Sequence, residues 1–463
     1  MNPKKKKRLI EASLLFILLA GIVTGLYFGL FAPKDYRDLI PAESKAVIEL
    51  PYSTLSELGL FANGKDANFN LPLSGIDKDK PVFLIITPNE YVALIMKTKN
   101  LARVGMDISD GAKAGLCQTP TRKEGFSWTW VDKGWIIAWN EEATMVLGPG
   151  SSGERDAMKQ TALQMFRASK SKSFRNSEHH DLLSDVEGDA KVYVRADALP
   201  MPMGTMVRLG LPEGAAASKV VLVGSLEDKV EGKGCPLFFK GRLTSEDKDV
   251  ITTLEDRLNG NTLSMDIMGN ASTRDIIMGI HANGSELAGR LKKEADGKML
   301  LSAIDNTVNI KNLLARTDGD IIIAASRLTD ALPDFSLTMQ KDTSSVNPKD
   351  RMKAEDIFAD SAYEVQPYAE GFQKATRNGT IYVSENDTLI YIRTREEQPN
   401  VSQRKTTDSQ KQNIRQYLYI NMEKAAADED TENPLRLLGK FLPGKKSLTY
   451  CELSNGELTI KFE

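Results

Sequence analysis

Histidine and cysteine are both scarce, with three of each in 463 residues. Disulfide-stapled scaffolds carry far more cysteine. Cys117, Cys235 and Cys451 allow one bridge at most, and as three buried small apolar side chains they are explained more simply. The histidines are His179, His180 and His281. There is no H-E-x-x-H and no C-x-x-C. Neighbouring residues on a helix point about 100° apart, so His179 and His180 do not chelate as an i, i+4 pair does. His179-His180-Asp181 reads as a polar surface turn. G-x-S-x-G, the P-loop and the dinucleotide fingerprint are missing too, and Glu231-Gly232-Lys233-Gly234 reads as a turn between strands. General acid–base catalysis most often recruits histidine, so this composition argues against an enzyme, and no metal or cofactor is expected.

A basic excess is also absent. Lys+Arg number 60 against 63 Asp+Glu. With Lys4–Arg8 and Glu11 set aside these become 55 and 62, a net charge of −7 for the rest. That solubilises a body and does not fit nucleic acid.

One long apolar run is present, Leu9 to Phe31, preceded by Lys4-Lys5-Lys6-Lys7-Arg8. About 20 helical residues cross a hydrocarbon core of about 30 Å. This run of 23 residues therefore predicts a transmembrane helix in contact with the lipid bilayer. The cations precede it, so the N-terminus stays in the cytoplasm and the rest is exported. The alternative is a cleaved signal peptide, whose apolar core is usually about 7–15 residues. Cleavage after Ala20 would put Leu18 at the −3 position, and the run continues eleven residues further. Length favours the anchor. The location predicted is the inner membrane, with the bulk periplasmic.

Beyond the anchor, a short strand followed by a short amphipathic segment recurs at Lys45–Leu50, Lys191–Arg195, Gly319–Ala324 and Tyr417–Asn421. Hairpins are predicted for 82–97, for 126–139 with a third strand to Leu147, for 381–394, and around Asn455-Gly456. Ser151-x-x-Glu154 is a capping box, and Met158, Ala162, Met165 and Phe166 behind it share a helix face. Shorter helices are expected over 285–293 and 434–441. The fold class predicted is α+β: an N-terminal transmembrane helix followed by antiparallel sheets with packed helices in related subdomains. The divisions are a basic tail over 1–8, the anchor over 9–31, α+β subdomains over 32–190 and 191–341, and a C-terminal α+β segment over 342–463 packed with them.

All four tryptophans fall within twelve residues, at Trp128, Trp130, Trp135 and Trp139. Strand alternation puts Phe126, Trp128 and Trp130 on one face, and Trp135, Ile137 and Trp139 on one face of the next strand. They are a candidate ligand platform for stacking sugar or peptide. A core, or the seat of a helix, is the simpler explanation.

The basic anchor followed by Tyr36-Arg37-Asp38-Leu39-Ile40-Pro41-Ala42-Glu43-Ser44-Lys45-Ala46-Val47-Ile48-Glu49-Leu50 resembles the opening of uncharacterised bacterial membrane-anchored envelope proteins. The Leu437–Pro443 segment before the last hairpin is similar too. The resemblance implies a domain of unknown function and supplies no catalytic residue. The expectation is an anchored envelope protein that binds or scaffolds an envelope protein or glycan. The alternatives are an envelope hydrolase or transferase acting on glycan or peptide, and a carrier of hydrophobic ligands.

Overall fold

The computed structural model describes residues 35–57, 73–123, 125–131, 134–199, 203–212, 215–228, 237–258, 262–264, 274–293, 308–327, 332, 334–344, 351–358, 365–368, 371–376, 378–396, 413–423 and 446–463. The expected anchor Leu9–Phe31, the turn at 231–234, Cys235 and the expected helix at 434–441 lie outside them. Among the described residues no helix is long and apolar enough to cross a membrane.

Short runs of β-branched and aromatic residues form the strands. In chain order the first are β1 (Ala46–Leu50), β2 (Val82–Ile86), β3 (Val92–Lys97), β4 (Thr121–Lys123), β5 (Phe126–Val131), β6 (Trp135–Trp139) and β7 (Ala143–Gly148). Next come β8 (Ala190–Arg195), β9 (Val221–Asp228), β10 (Leu237–Thr244), β11 (Ile276–Asn283), β12 (Thr317–Ser326) and β13 (Asp334–Lys341). The last are β14 (Val365–Tyr368), β15 (Gly371–Thr376), β16 (Gly379–Glu385), β17 (Leu389–Arg393), β18 (Ile414–Asn421), β19 (Ser447–Leu453) and β20 (Leu458–Phe462). The fold is α+β, built on antiparallel strands. The described residues form two units, with those within 35–42, 73–77 and 94–177 in unit 1 and the others in unit 2.

In unit 1, β4, β5, β6 and β7 pair in sequence order. The helix Arg155–Arg167 buries Met158, Ala162, Met165 and Phe166, the face expected from the sequence. The capping box forms as predicted, with Ser151 N–H donating to Glu154 at 2.7 Å. The second helix, Leu101–Lys113, starts at Asn100, whose side chain accepts the Arg103 N–H at 3.0 Å. That helix buries Val104 and Ile108. Gly75 lies so close to it that a Cβ there would sit 2.6 Å from the Asn100 carbonyl oxygen.

In unit 2 the strand order is β14–β15–β16–β17–β13–β12–β11–β18–β19–β20–β10–β9–β8–β1–β2, antiparallel throughout. The C-terminal meander β18–β20 thus fills the place between β11 and β10. One hydrophobic cluster packs Met206, Val207, Val250 and Leu254 from two helices against Leu222, Phe239, Met278, Leu418 and Tyr450. A second joins Leu287 and Leu313 to Ile321, Leu337, Ile381 and Ile392. Each such side chain contributes roughly 1.5–3 kcal/mol when fully buried. Gly456, at φ +80°, makes the turn between β19 and β20, as Asn455-Gly456 predicts.

Candidate functional site

The tryptophans do not form one platform. Directly paired residues of an antiparallel sheet share a face. Trp128 pairs with Ala138 and Trp130 with Ile136, whereas Trp139 pairs with Ser127 and Trp135 with Val131. Trp128 and Trp130 therefore lie on one face, and Trp135 and Trp139 on the other. The first pair packs edge to face, 6.0 Å between centroids. The helix Arg155–Arg167 covers that face. Phe166 stacks on Phe126 at 5.1 Å, Lys159 sits 4.7 Å from the Trp128 ring centroid, and Arg155 sits 5.4 Å from that of Trp130. Trp130 and Trp139 are buried, while Trp128 and Trp135 are half-buried.

Trp139 instead lines a cleft of about 540 Å³ within unit 1. One wall is the helix Leu101–Lys113, through Leu101, Ala102, Gly105 and Ser109; the other comes from Pro120, Arg122, Gly125–Ser127 and Trp139–Glu142. Positions 102, 105 and 109 share one helix face. Their side chains are small, and a Cβ at Gly105 would meet nothing within 4 Å. The Ser109 hydroxyl donates to the Gly105 carbonyl at 2.7 Å. The Asn140 side chain accepts the Glu142 and Ala143 N–H groups at 3.0 and 2.9 Å, fixing the turn that carries Glu141 and Glu142. The cleft thus joins an aromatic edge, two carboxylates and a guanidinium. Its volume is that of sites for small ligands, roughly 300–1,000 Å³. Of its lining residues the sequence pattern singles out only Phe126 and Trp139, because the walls meet only through the tertiary fold.

The histidines lie in unit 2. His179 and His180 fall within a helix, Glu178–Ser184, so the expected turn is a helical one. His179 Nδ1 contacts the Glu246 carboxylate, and its ring lies 5.4 Å from that of Tyr193. His281 Nδ1 bonds to Asp320 at 2.8 Å across the β11–β12 pair. Ser264 donates its hydroxyl to the other oxygen of the same carboxylate, also at 2.8 Å. This is the nearest approach to a Ser–His–Asp set, but a nucleophilic serine must bond to its base. Here serine and histidine both bond to the carboxylate. No group of metal-ligating residues occurs among the described residues.

A smaller hollow of about 310 Å³ in unit 2 is lined by Arg351, Met352, Phe372 and Glu385. Its carboxylate is committed: Glu385 pairs with buried Lys341 at 2.5 Å and accepts the Met352 N–H. Cys117 and Cys451 are free thiols. Burial raises the pKa of both, that of Cys451 to about 12.

Among proteins of curated function none matches the chain. A solved structure described as "Structure of crystal form I of TP0453" is similar over 51% of this chain and 90% of that one, at 10% identity and a TM-score of 0.27, too low to assign a shared fold. Residues 69–427 match the family described as "Domain of unknown function (DUF4836)". That match spans well over half of the sequence, so the chain belongs to the DUF4836 family.

Proposed function

We propose that this protein is a single-pass, membrane-anchored extracytoplasmic binding protein that holds an envelope protein or glycan in the unit 1 cleft. The anchoring half rests on the Leu9–Phe31 run and its five preceding cations. The observation that carries the binding half is the cleft itself. Its low wall at Ala102, Gly105 and Ser109 leaves room for a chain-like ligand, and Arg122, Glu141, Glu142 and the Trp139 edge suit one rich in amides or hydroxyls. A hydrolase reading would draw on Ser264, Asp320 and His281, whose hydrogen bonds couple neither serine to histidine nor either of them to this cleft.

The test is a plug. Gly105→Phe projects a ring into open space without backbone strain. The full chain is captured from membranes beside this variant, and the co-purifying proteins and glycans are compared. The proposal expects a specific partner with the natural chain, lost with the variant although its melting temperature is no lower. The same partner on both would overturn the cleft as the binding site.

A further inference from the structure

The membrane anchor proposed above sets where unit 1 sits relative to the bilayer, and this inference rests on that reading. The anchor ends at Phe31, and only Ala32, Pro33 and Lys34 precede Asp35. The four Cα–Cα steps from Phe31 to Asp35 reach about 14 Å at most. That clears the headgroup layer, the outer 5–8 Å or so of each leaflet, by no more than about 9 Å. From Asp35 onward the chain is fixed to the body. Tyr36, Leu39 and Ile40 are buried. Asp35 pairs with Arg37 at 2.7 Å and with Arg175 at 3.1 Å.

The surface beside this attachment point is basic. Residues 36–42 run along the segment 169–177: Ala42 N–H donates to the Lys172 carbonyl at 3.0 Å, and Phe174 N–H to that of Ile40 at 2.8 Å. Between Asp156 and Glu178 the sequence has Lys159, Arg167, Lys170, Lys172 and Arg175 and no acidic residue, in a chain whose exported part is acidic overall. Lys159 lies over Trp128, but Lys172 and Arg175 are exposed and Lys170 partly so. Lys170 and Lys172 pair with no carboxylate of the described residues. The turn that carries them is rigid. Ser173 donates its hydroxyl to the Lys170 carbonyl at 2.8 Å, Asn176 donates to the same oxygen at 2.7 Å, and Ser173 and Phe174 are buried.

We infer that the turn Ser169–Asn176, with Lys170, Lys172 and Arg175, is the face on which the body rests against anionic lipid headgroups. The attachment point therefore lies within about one Debye length of the headgroups at 0.1 M salt, which keeps the cations beside it in the field of the lipid phosphates.

Amine footprinting of the full chain tests this. The protein is reconstituted in phosphatidylcholine vesicles with and without about one-third phosphatidylglycerol, and also held in detergent. Each lysine's acetylation rate is read by mass spectrometry relative to the mean of the other exposed lysines, and alkaline carbonate washing reports anchoring. The expected result is retention in the vesicles, with Lys170 and Lys172 acetylated at least about threefold more slowly in anionic vesicles than in detergent, and with high salt restoring the rate. Retention with equal rates in vesicles and detergent overturns the docking face and leaves the anchor standing. Release by carbonate overturns the anchor and the docking face with it.

Discussion

Arg415, at the register irregularity of β18 beside the Gln416–Glu452 pair, bonds to Glu452 of β19 at 3.0 Å, with at most 6% of either side chain exposed. Arg257 brings a second guanidinium to the same carboxylate. Both arginines also donate to the Gly210 carbonyl, at 3.2 and 3.3 Å, where the helix Met203–Gly210 ends in partial negative charge. One buried anion and a helix terminus thus hold two buried cations. Burial lowers the pKa of Arg415, and the neighbouring Arg257 lowers it further.

Removing the anion strands both cations. Glu452→Gln is expected to destabilise unit 2 by about 3–5 kcal/mol, the usual cost of breaking a buried pair. Denaturant unfolding followed by circular dichroism measures it. A loss under about 1 kcal/mol would mean that water reaches the cluster.

Two glycines of unit 1 predict opposite outcomes. Gly105 lies inside a helix with open space where a Cβ would go, so Gly105→Ala is expected to stabilise by about 0.5–1 kcal/mol. A Cβ at Gly75 would collide with the Asn100 carbonyl and with Val104, so Gly75→Ala is expected to destabilise. Thermal unfolding of the two variants beside the natural chain gives both signs at once.

The tryptophans divide by burial. Trp139→Ala removes a buried ring and is expected to cost about 3–5 kcal/mol. Lys159→Ala removes a cation at the half-buried Trp128 and is expected to cost less than about 1 kcal/mol. Comparable costs in denaturant titrations would contradict this difference in burial.

Local order in this protein is legible where neighbours in sequence decide it. The Ser151–Glu154 capping box, the Asn455-Gly456 turn and the strands Phe126–Val131 and Trp135–Trp139 appear where the sequence puts them. Alternation also gives the faces within each strand. It does not give the register between strands, and register is what sends Trp128 and Trp139 to opposite sides. The helix Leu101–Lys113 is harder to read, because Leu101, Val104 and Ile108 give it an apolar stripe of only three large residues and Gly105 and Gly111 lower its helix propensity; its Asn100 cap is the clearer signal. The Arg257–Glu452 pair spans 195 residues of sequence, and no periodicity points across such a distance. For the cleft the same holds, since Gly105 and Trp139 belong to elements joined only by packing.

Thiol chemistry supplies a pH-dependent test. The thiolate is the reactive form. Burial raises the pKa of Cys451 to about 12, so at neutral pH its thiolate is scarcer than in an ordinary cysteine. Burial acts in the same direction on Cys117. Both are expected to resist iodoacetamide near pH 7.5 in the native protein and to alkylate in denaturant, with peptide mass spectrometry separating them from Cys235. Rapid native labelling of Cys451 would contradict its half-buried place on β19.

The central claim is topological: Leu9–Phe31 holds an exported body at the membrane. The most direct measurement fuses to the C-terminus a reporter active only outside the cytoplasm, beside a second fusion to a reporter active only inside, with each fusion followed through alkaline carbonate extraction. The prediction is an active outside reporter, a silent inside reporter, and a full-length product retained in the carbonate-washed membrane. An active inside reporter with a silent outside one would contradict the claim outright, and an active outside reporter on a carbonate-soluble product shortened at its N-terminus would replace the anchor with a cleaved signal peptide.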